Sequence, residues 1–178
     1  MPVLFEFRTE TWPDNGKIVV YDSDATVPND EALVESLRDV VAGTGTQIYI
    51  HSLQGTAPAE ILVRVWDGPV PADNDWGAEG EREVELDTPT GFVVIRAFSP
   101  EIAGDFQLPR PGVYEGRVSW KGRQAAEDQQ SNLRAQLATP EGQLDSDAVF
   151  AAHGETLETY RIDLWWTAES EDDEDDDQ

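Results

Sequence analysis

The sequence predicts a mainly β protein: an antiparallel β-sandwich with one helix, a polar insertion and a disordered acidic tail. Three observations predict it. Apolar and polar residues alternate with a period of two over much of the chain. Turn signals such as Asp14-Asn15-Gly16, Pro89 with Gly91, and Pro111-Gly112 separate these runs at short intervals. Helical spacing is convincing in one place, whereas a parallel sheet needs a crossover, usually a helix, between successive strands.

Val3, Phe5 and Phe7 alternate with Glu6 and Arg8 as a first strand, and residues 18–21 form a second, its expected hairpin partner. Pro28, Asn29 and Asp30 then offer a helix start. Ala32, Leu33, Leu37, Val40 and Val41 follow at helical spacing, and Gly43 closes the helix. Strands are expected over residues 47–53, 60–66, 82–86, 92–98, 106–108, 113–120 and 159–166, with a long polar loop over 67–80. Residues 122–156 break this rhythm. They are rich in Gln, Ala, Glu and Asp and read as an insertion between the last two strands, with a short helix over 125–137. The expected organisation is one domain, 1–168, followed by the acidic tail, 169–178.

A chain of 178 residues is long enough to bury a core without disulfides or metals. It contains no cysteine, which excludes disulfides, thiolate metal sites and cysteine nucleophiles. No apolar run approaches the roughly 20 residues that span a bilayer, and the N-terminus lacks the basic and apolar regions of a signal peptide. A cytoplasmic location is expected. The charge is the strongest compositional signal: 37 acids against 12 bases, net −25. Without the eight acids of residues 169–177 the net is still −17, so the acidity belongs to the body as well as the tail. Such a surface repels nucleic acid and anionic membrane and attracts basic partners. Acid excess with little lysine also suits a protein adapted to high salt, and both explanations stay open.

The loop Asp22-Ser-Asp24-Ala-Thr26 follows an apolar strand. The pattern resembles the nucleophile loop of haloacid-dehalogenase-type phosphatases, which implies attack by the first Asp, acid–base work by the second, and a magnesium ion. That chemistry also needs a cation and further carboxylates from later loops at one end of a parallel sheet, and the sequence does not supply them in place. The simpler reading is a turn in which Asp22 and Asp24 satisfy backbone N–H groups. As a calcium loop the stretch fails, because Val27 and Leu33 occupy the required glycine and glutamate positions. Asp22 and Asp24 remain metal candidates, a looser calcium site with Asp73 or Asp75 stays open, and no cofactor is expected. His51 and His153 are the only histidines, and neither belongs to a nucleophilic motif.

Trp120 and Trp166 share a strand face with Tyr114, Val118, Tyr160, Ile162 and Leu164, which reads as core. Trp165 then points the opposite way, beside Arg161 and Asp163. An outward aromatic among charges suits a partner anchor, and the alternative is that the helix or the insertion covers this second face as well. With it we group the loop acids Asp73, Asp75, Glu79 and Glu81 and the outward Asp163 as partner-binding candidates.

The order of elements carries a resemblance. Two opening strands lead to the Asp22/Asp24 turn and the helix with Asp30-Glu31-Ala32. Later come FQLPRPGVYEGRVSW, with Leu108, Pro109, Gly112 and Tyr114, and ETYRIDLWW, with Thr159, Tyr160, Ile162 and Asp163. This arrangement resembles the competence protein J family, acidic β-rich proteins whose namesake inhibits a DNA-entry nuclease. The resemblance covers about 100 residues in pieces, and 122–156 and the tail depart from it. It implies a non-enzymatic protein whose carboxylates occupy a basic groove built for phosphate. The expectation is therefore a binder of a basic protein surface, with a nuclease inhibitor or immunity-type protein as its specific form. A phosphohydrolase using Asp22 and Asp24 and an accessory protein acidic only for salt tolerance are the alternatives.

Overall fold

The computed structural model describes residues 1–13, 15–25, 28–54, 57–97, 102–137 and 155–171. Ten strands form two five-stranded sheets. The first sheet runs β1 (Val3–Thr11), β5 (Ala59–Trp66), β10 (Thr159–Ala168), β9 (Gly112–Lys121), β6 (Gly80–Thr88). The second runs β3 (Val41–Gly43), β4 (Gln47–His51), β2 (Lys17–Asp22), β7 (Phe92–Ala97), β8 (Ile102–Gln107). Helix α1 (Asp30–Asp39) packs on the second sheet near β3 and β4, and α2 (Arg123–Leu137) follows β9.

Alternation explains the sandwich. Ile61, Val63 and Val65 of β5, Tyr160, Ile162 and Leu164 of β10, and Tyr114 and Val118 of β9 face inward. They meet Ile18 and Val20, Ile48 and Ile50, and Val93 and Ile95 of the second sheet in one cluster. Each such side chain contributes about 1.5–3 kcal/mol when fully buried. The sheets are tied at both margins. Phe106 of β8 packs on Phe5 and Phe7 of β1, ring centroids 5.5 and 4.9 Å apart. At the opposite margin Gly45 bridges to Leu86, and Asp87 N–H donates to the Gly45 carbonyl at 2.6 Å.

The mainly β sandwich stands as expected, with four differences in detail. The strands are not all antiparallel: β10 lies parallel to β5, from Thr159 opposite Glu60 to Trp165 opposite Trp66. The chain reaches β10 only after α2 and the segment following it, a connection long enough for a parallel neighbour. The expected β1–β2 hairpin does not form; β1 pairs with β5, and β2 lies between β4 and β7 in the other sheet. The first helix ends at Asp39. Val40 takes a left-handed φ of 72°, and Val41–Gly43 becomes the short strand β3. Leu37, expected on the packed face, is 55% exposed. The last short strand before Pro109 is longer than expected, residues 102–107. In the insertion the expected helix is present as α2. His153 and residues 172–178 of the tail lie outside the described residues.

Candidate functional site

The loop after β2 is a structural turn. Asp22 is fully buried. Its Oδ1 accepts from Asp24 N–H at 3.0 Å, and its Oδ2 accepts from the hydroxyls of Thr88 and Thr90 at 2.7 and 2.8 Å and from Thr90 N–H at 3.1 Å. Both oxygens are engaged, binding the end of β2 to the β6–β7 turn across the two sheets. A nucleophile must present a free oxygen to phosphorus, and this carboxylate presents none. Among the described residues, no cluster of three acidic or histidine side chains is placed to hold a metal ion.

His51 closes the other end of the sandwich. Ser52 Oγ donates to Glu158, not to a histidine, and Leu53 and Gln54 N–H groups donate to the same buried carboxylate. Arg123 of α2 donates to the His51 carbonyl and to Tyr160 Oη, and lies 3.7 Å from Glu158. Burial, with the Arg123 charge adding to it, holds His51 below the usual imidazole range. Burial and the neighbouring Glu158 charge push the Tyr160 phenol well up. This network fastens α2 to the sheets.

The outer face of the first sheet holds the remaining candidates. One row crosses all five strands: Glu6, Arg64, Asp163, Arg117, Glu83. Its signs alternate. Asp163 accepts from Arg64 Nε at 2.8 Å, Trp66 Nε1 at 2.8 Å and Arg161 Nε at 3.1 Å. It does lie on the outward face, but only 5% exposed, because the two guanidiniums and Trp66 close around it. Loop 67–79 lies over this face. Asp73 accepts from Arg161 at 3.0 Å, and Trp76 stacks beneath Arg161 and Lys121 with centroid distances of 4.3 and 4.8 Å. Partial desolvation pushes Asp73 up, but the Asp75 N–H and the Arg161 guanidinium outweigh it and leave it below its ordinary range. Glu79 accepts from Gly122 and Gln124 N–H groups and so caps the start of α2. Glu81, expected in the loop, lies in β6, and of these four acids only Asp75 keeps its carboxylate clear of a hydrogen bond or ion pair among the described residues.

The acids that remain available lie one strand further on. β6 is the margin of its sheet, and its outward positions are Glu81, Glu83, Glu85 and Asp87. Alternate residues of a strand are about 7 Å apart, so these carboxylates form an evenly spaced acidic line. Glu81 lies 3.6 Å from Arg117, and Asp87 accepts from Ser170. Glu83 and Glu85 are exposed and make no ion pair among the described residues, although Arg117 stands opposite Glu83 in the neighbouring strand. The next row along the sheet is Trp66, Trp165, Glu115, Glu85. It contains no base, and it places Glu85 directly opposite Glu115. A groove of about 500 Å³ opens here between β6 and the β3–β4 turn, lined by Thr44, Gly45, Glu83, Glu85, Glu115 and Trp165. Trp165 points away from the core as expected. It is only 9% exposed, however, so it forms the wall of a groove and not a projecting anchor. Its Nε1 is closed to solvent and has no hydrogen-bond partner among the described residues. Sequence reasoning missed Glu83, Glu85 and Glu115. The signal for Glu83 and Glu85 lies in the alternation of GEREVELDT and that for Glu115 in GVYEGRVSWK, both of which read only as strands.

The architecture now has known counterparts. The fold is similar to that of ComJ. The solved structure described as ComJ, inhibitor of the DNA degrading activity of NucA, from Bacillus subtilis, superposes with a TM-score of 0.55 and 14% identity, over 93% of this chain and 98% of that one. A second solved structure, described as crocagin biosynthetic gene J, gives 0.52 and 14%, over 92% and 99%. No protein-family model matches the sequence, and no curated protein matches it. The likeness to competence protein J thus holds at the level of the fold. No helix among the described residues is long and apolar enough to cross a membrane.

Proposed function

We propose that this chain is a non-enzymatic binding protein of the inhibitor type, which offers the acidic outer edge of its first sheet to a basic protein surface. One observation carries this reading: every outward position of β6 is acidic, and only Glu81 has an ion-pair partner among the described residues. A line of carboxylates spaced along an extended strand presents a basic groove with charges where phosphates would lie, and steers encounter in a salt-dependent way. ComJ, similar in fold, inhibits a DNA-degrading nuclease. A nuclease is therefore the basic partner to test first. Asp73, Glu79 and Asp163 hold the scaffold that presents this surface, and Asp75 lies in the loop with its carboxylate unpaired among the described residues.

The test is inhibition of the DNA-degrading nucleases of the source organism by the full chain. The Glu83→Gln/Glu85→Gln/Glu115→Gln variant should inhibit about tenfold less at low salt, with the gap narrowing as salt rises. Equal inhibition by wild type and variant would remove the edge from the reading. Absence of inhibition by both would remove the nuclease.

A further inference from the structure

The outward face of the second sheet differs from that of a sheet open to water. An antiparallel sheet with one solvated face usually carries polar residues there. Here Val19 and Tyr21 of β2, Tyr49 of β4 and Val94 of β7 point away from the core between the sheets. Helix α1 covers only part of this surface, where Ala32 and Leu33 pack with Ala42, Tyr49 and Val19. Between the first turn of α1 and Arg96 of β7 a pocket of about 270 Å³ stays open. Val19, Tyr21, Leu33 and Tyr49 give it an apolar and aromatic lining, and Lys17 and Arg96 line it from the sheet. Arg96 stands opposite Val19, and Lys17 is two residues before Val19, so both cations share one face. The polar groups toward the helix are committed to one another. Tyr49 Oη accepts from Asn29 N–H at 2.9 Å and donates to Gln47 Oε1 at 2.6 Å, and Gln47 Nε2 donates to the Ala25 carbonyl at 3.0 Å. Arg96 is in a different position. Eight arginines of this acidic chain form ion pairs with carboxylates. Arg96 is exposed and makes none among the described residues, although Asp105 faces outward on the neighbouring β8. Its guanidinium lies 5.9 Å from the centroid of the Tyr21 ring, at the side of the pocket.

We infer that this pocket binds a small organic acid, a single carboxylate carried on an apolar body. Small-molecule sites combine an apolar concavity with a few placed polar groups, and here the uncommitted polar group is a guanidinium. Its planar fork matches a carboxylate with two parallel N–H donors, and Lys17 adds positive charge on the same side. The apolar body lies against the half-buried Val19 and Leu33 and the Tyr21 ring. Phosphate and other polyanions fit less well. They have no apolar body for these side chains, Asp30 lines the helix side of the pocket, and a chain of net −25 repels multiple negative charge. The volume is just below the roughly 300–1,000 Å³ of sites for drug-sized ligands, which suits one ring or a short chain. The pocket lies on the sheet that does not contain β6, so this inference goes beyond the proposed function and stands without it.

The experiment follows the methyl signals of Val19 and Leu33 in the full chain by NMR, with Val19→Ala and Leu33→Ala to identify them. The probe is sodium phenylacetate, titrated to tens of millimolar at constant ionic strength. Both signals should shift saturably. Phenylacetamide, which keeps the shape without the charge, and acetate, which keeps the charge without the ring, should each bind about tenfold more weakly. Inorganic phosphate should not displace the probe. Arg96→Gln alters an exposed side chain and should leave the Tm unchanged while weakening phenylacetate about tenfold. Arg96→Lys should recover part of that loss, since it keeps the charge without the fork. Absence of a saturable shift, phenylacetamide binding as tightly as phenylacetate, displacement by phosphate, or binding that survives Arg96→Gln would each overturn the inference.

Discussion

Replacing Asp22 by Asn separates a structural turn from a catalytic loop. The wild-type carboxylate accepts four hydrogen bonds, one at Oδ1 and three at Oδ2. An asparagine in the same rotamer keeps one acceptor. Turned toward Thr88 and Thr90, its oxygen retains the three bonds but loses their charge assistance, which makes such bonds roughly twice as strong as neutral ones. Its amide nitrogen then faces Asp24 N–H, donor against donor, and that bond is lost. An orphaned buried donor costs about 1–3 kcal/mol. Removing the charge also relieves the desolvation of a buried carboxylate, which offsets part of the loss. The net expectation is about 2 kcal/mol of destabilisation, or a urea midpoint lower by about 1 M at a typical dependence on denaturant. Thr88→Val removes one donor and should cost about 1 kcal/mol. In the double variant the two losses should fall short of their sum, because both strip the same carboxylate. The same preparations should be assayed for hydrolysis of a generic phosphate ester with magnesium. The turn reading is refuted if Asp22→Asn leaves the midpoint unchanged, and more so if it abolishes a metal-dependent turnover that the wild type shows.

Other consequences can be measured on the same footing. Asp163→Leu leaves Arg64 and Arg161 facing each other while Trp66 loses its acceptor; breaking such a buried arrangement should cost about 3 kcal/mol in urea unfolding, with Arg161 still held by Asp73. Glu115→Gln should do the opposite, raising stability by about 0.5 kcal/mol by relieving the Glu85 pair, seen as a Tm about 1–2 °C higher. His51 titrates below its ordinary value in the folded state, so below about pH 6.5 the unfolded chain binds the extra proton. Its contribution to stability is therefore present above that pH and lost as pH falls; the stability difference between wild type and His51→Gln should shrink on acidification, and a pH-independent difference would contradict the assignment.

Much of this architecture was legible because it is local. YRIDLWW alternates, and that alone separates Tyr160, Ile162 and Leu164 from Arg161, Asp163 and Trp165. The polar turn after KIVVY was likewise readable, as was the helix signal at Asn29, whose side chain accepts from Ala32 N–H at 2.8 Å. What escaped is pairing at a distance. Val40 and Val41 continue the helical spacing, and only the bond from His51 N–H to the Val40 carbonyl shows that the chain has already turned into β3. The parallel contact of β10 with β5 leaves no local trace. Asp163 looked like a free charge because its partner Arg64 lies 99 residues away. Asp73 and Glu79 likewise looked like exposed loop acids until Arg161 and the start of α2 were placed beside them.

The same distance effect bears on why the chain is so acidic. If the excess served only solubility or salt tolerance, there would be no reason to seat two carboxylates opposite one another in register. Scattering them singly would give the same net charge without the local repulsion. The Arg64–Asp163–Arg117 row on the outer face of the first sheet shows that the fold can satisfy its acids, since Asp163 has a base on either side and Arg117 lies next to Glu81. One row further, Glu115 and Glu85 have no base beside them among the described residues. A basic side chain from outside would meet both carboxylates. Under the proposed function this edge keeps its carboxylates for a basic partner, and the acidity of the rest of the surface is left to solvation.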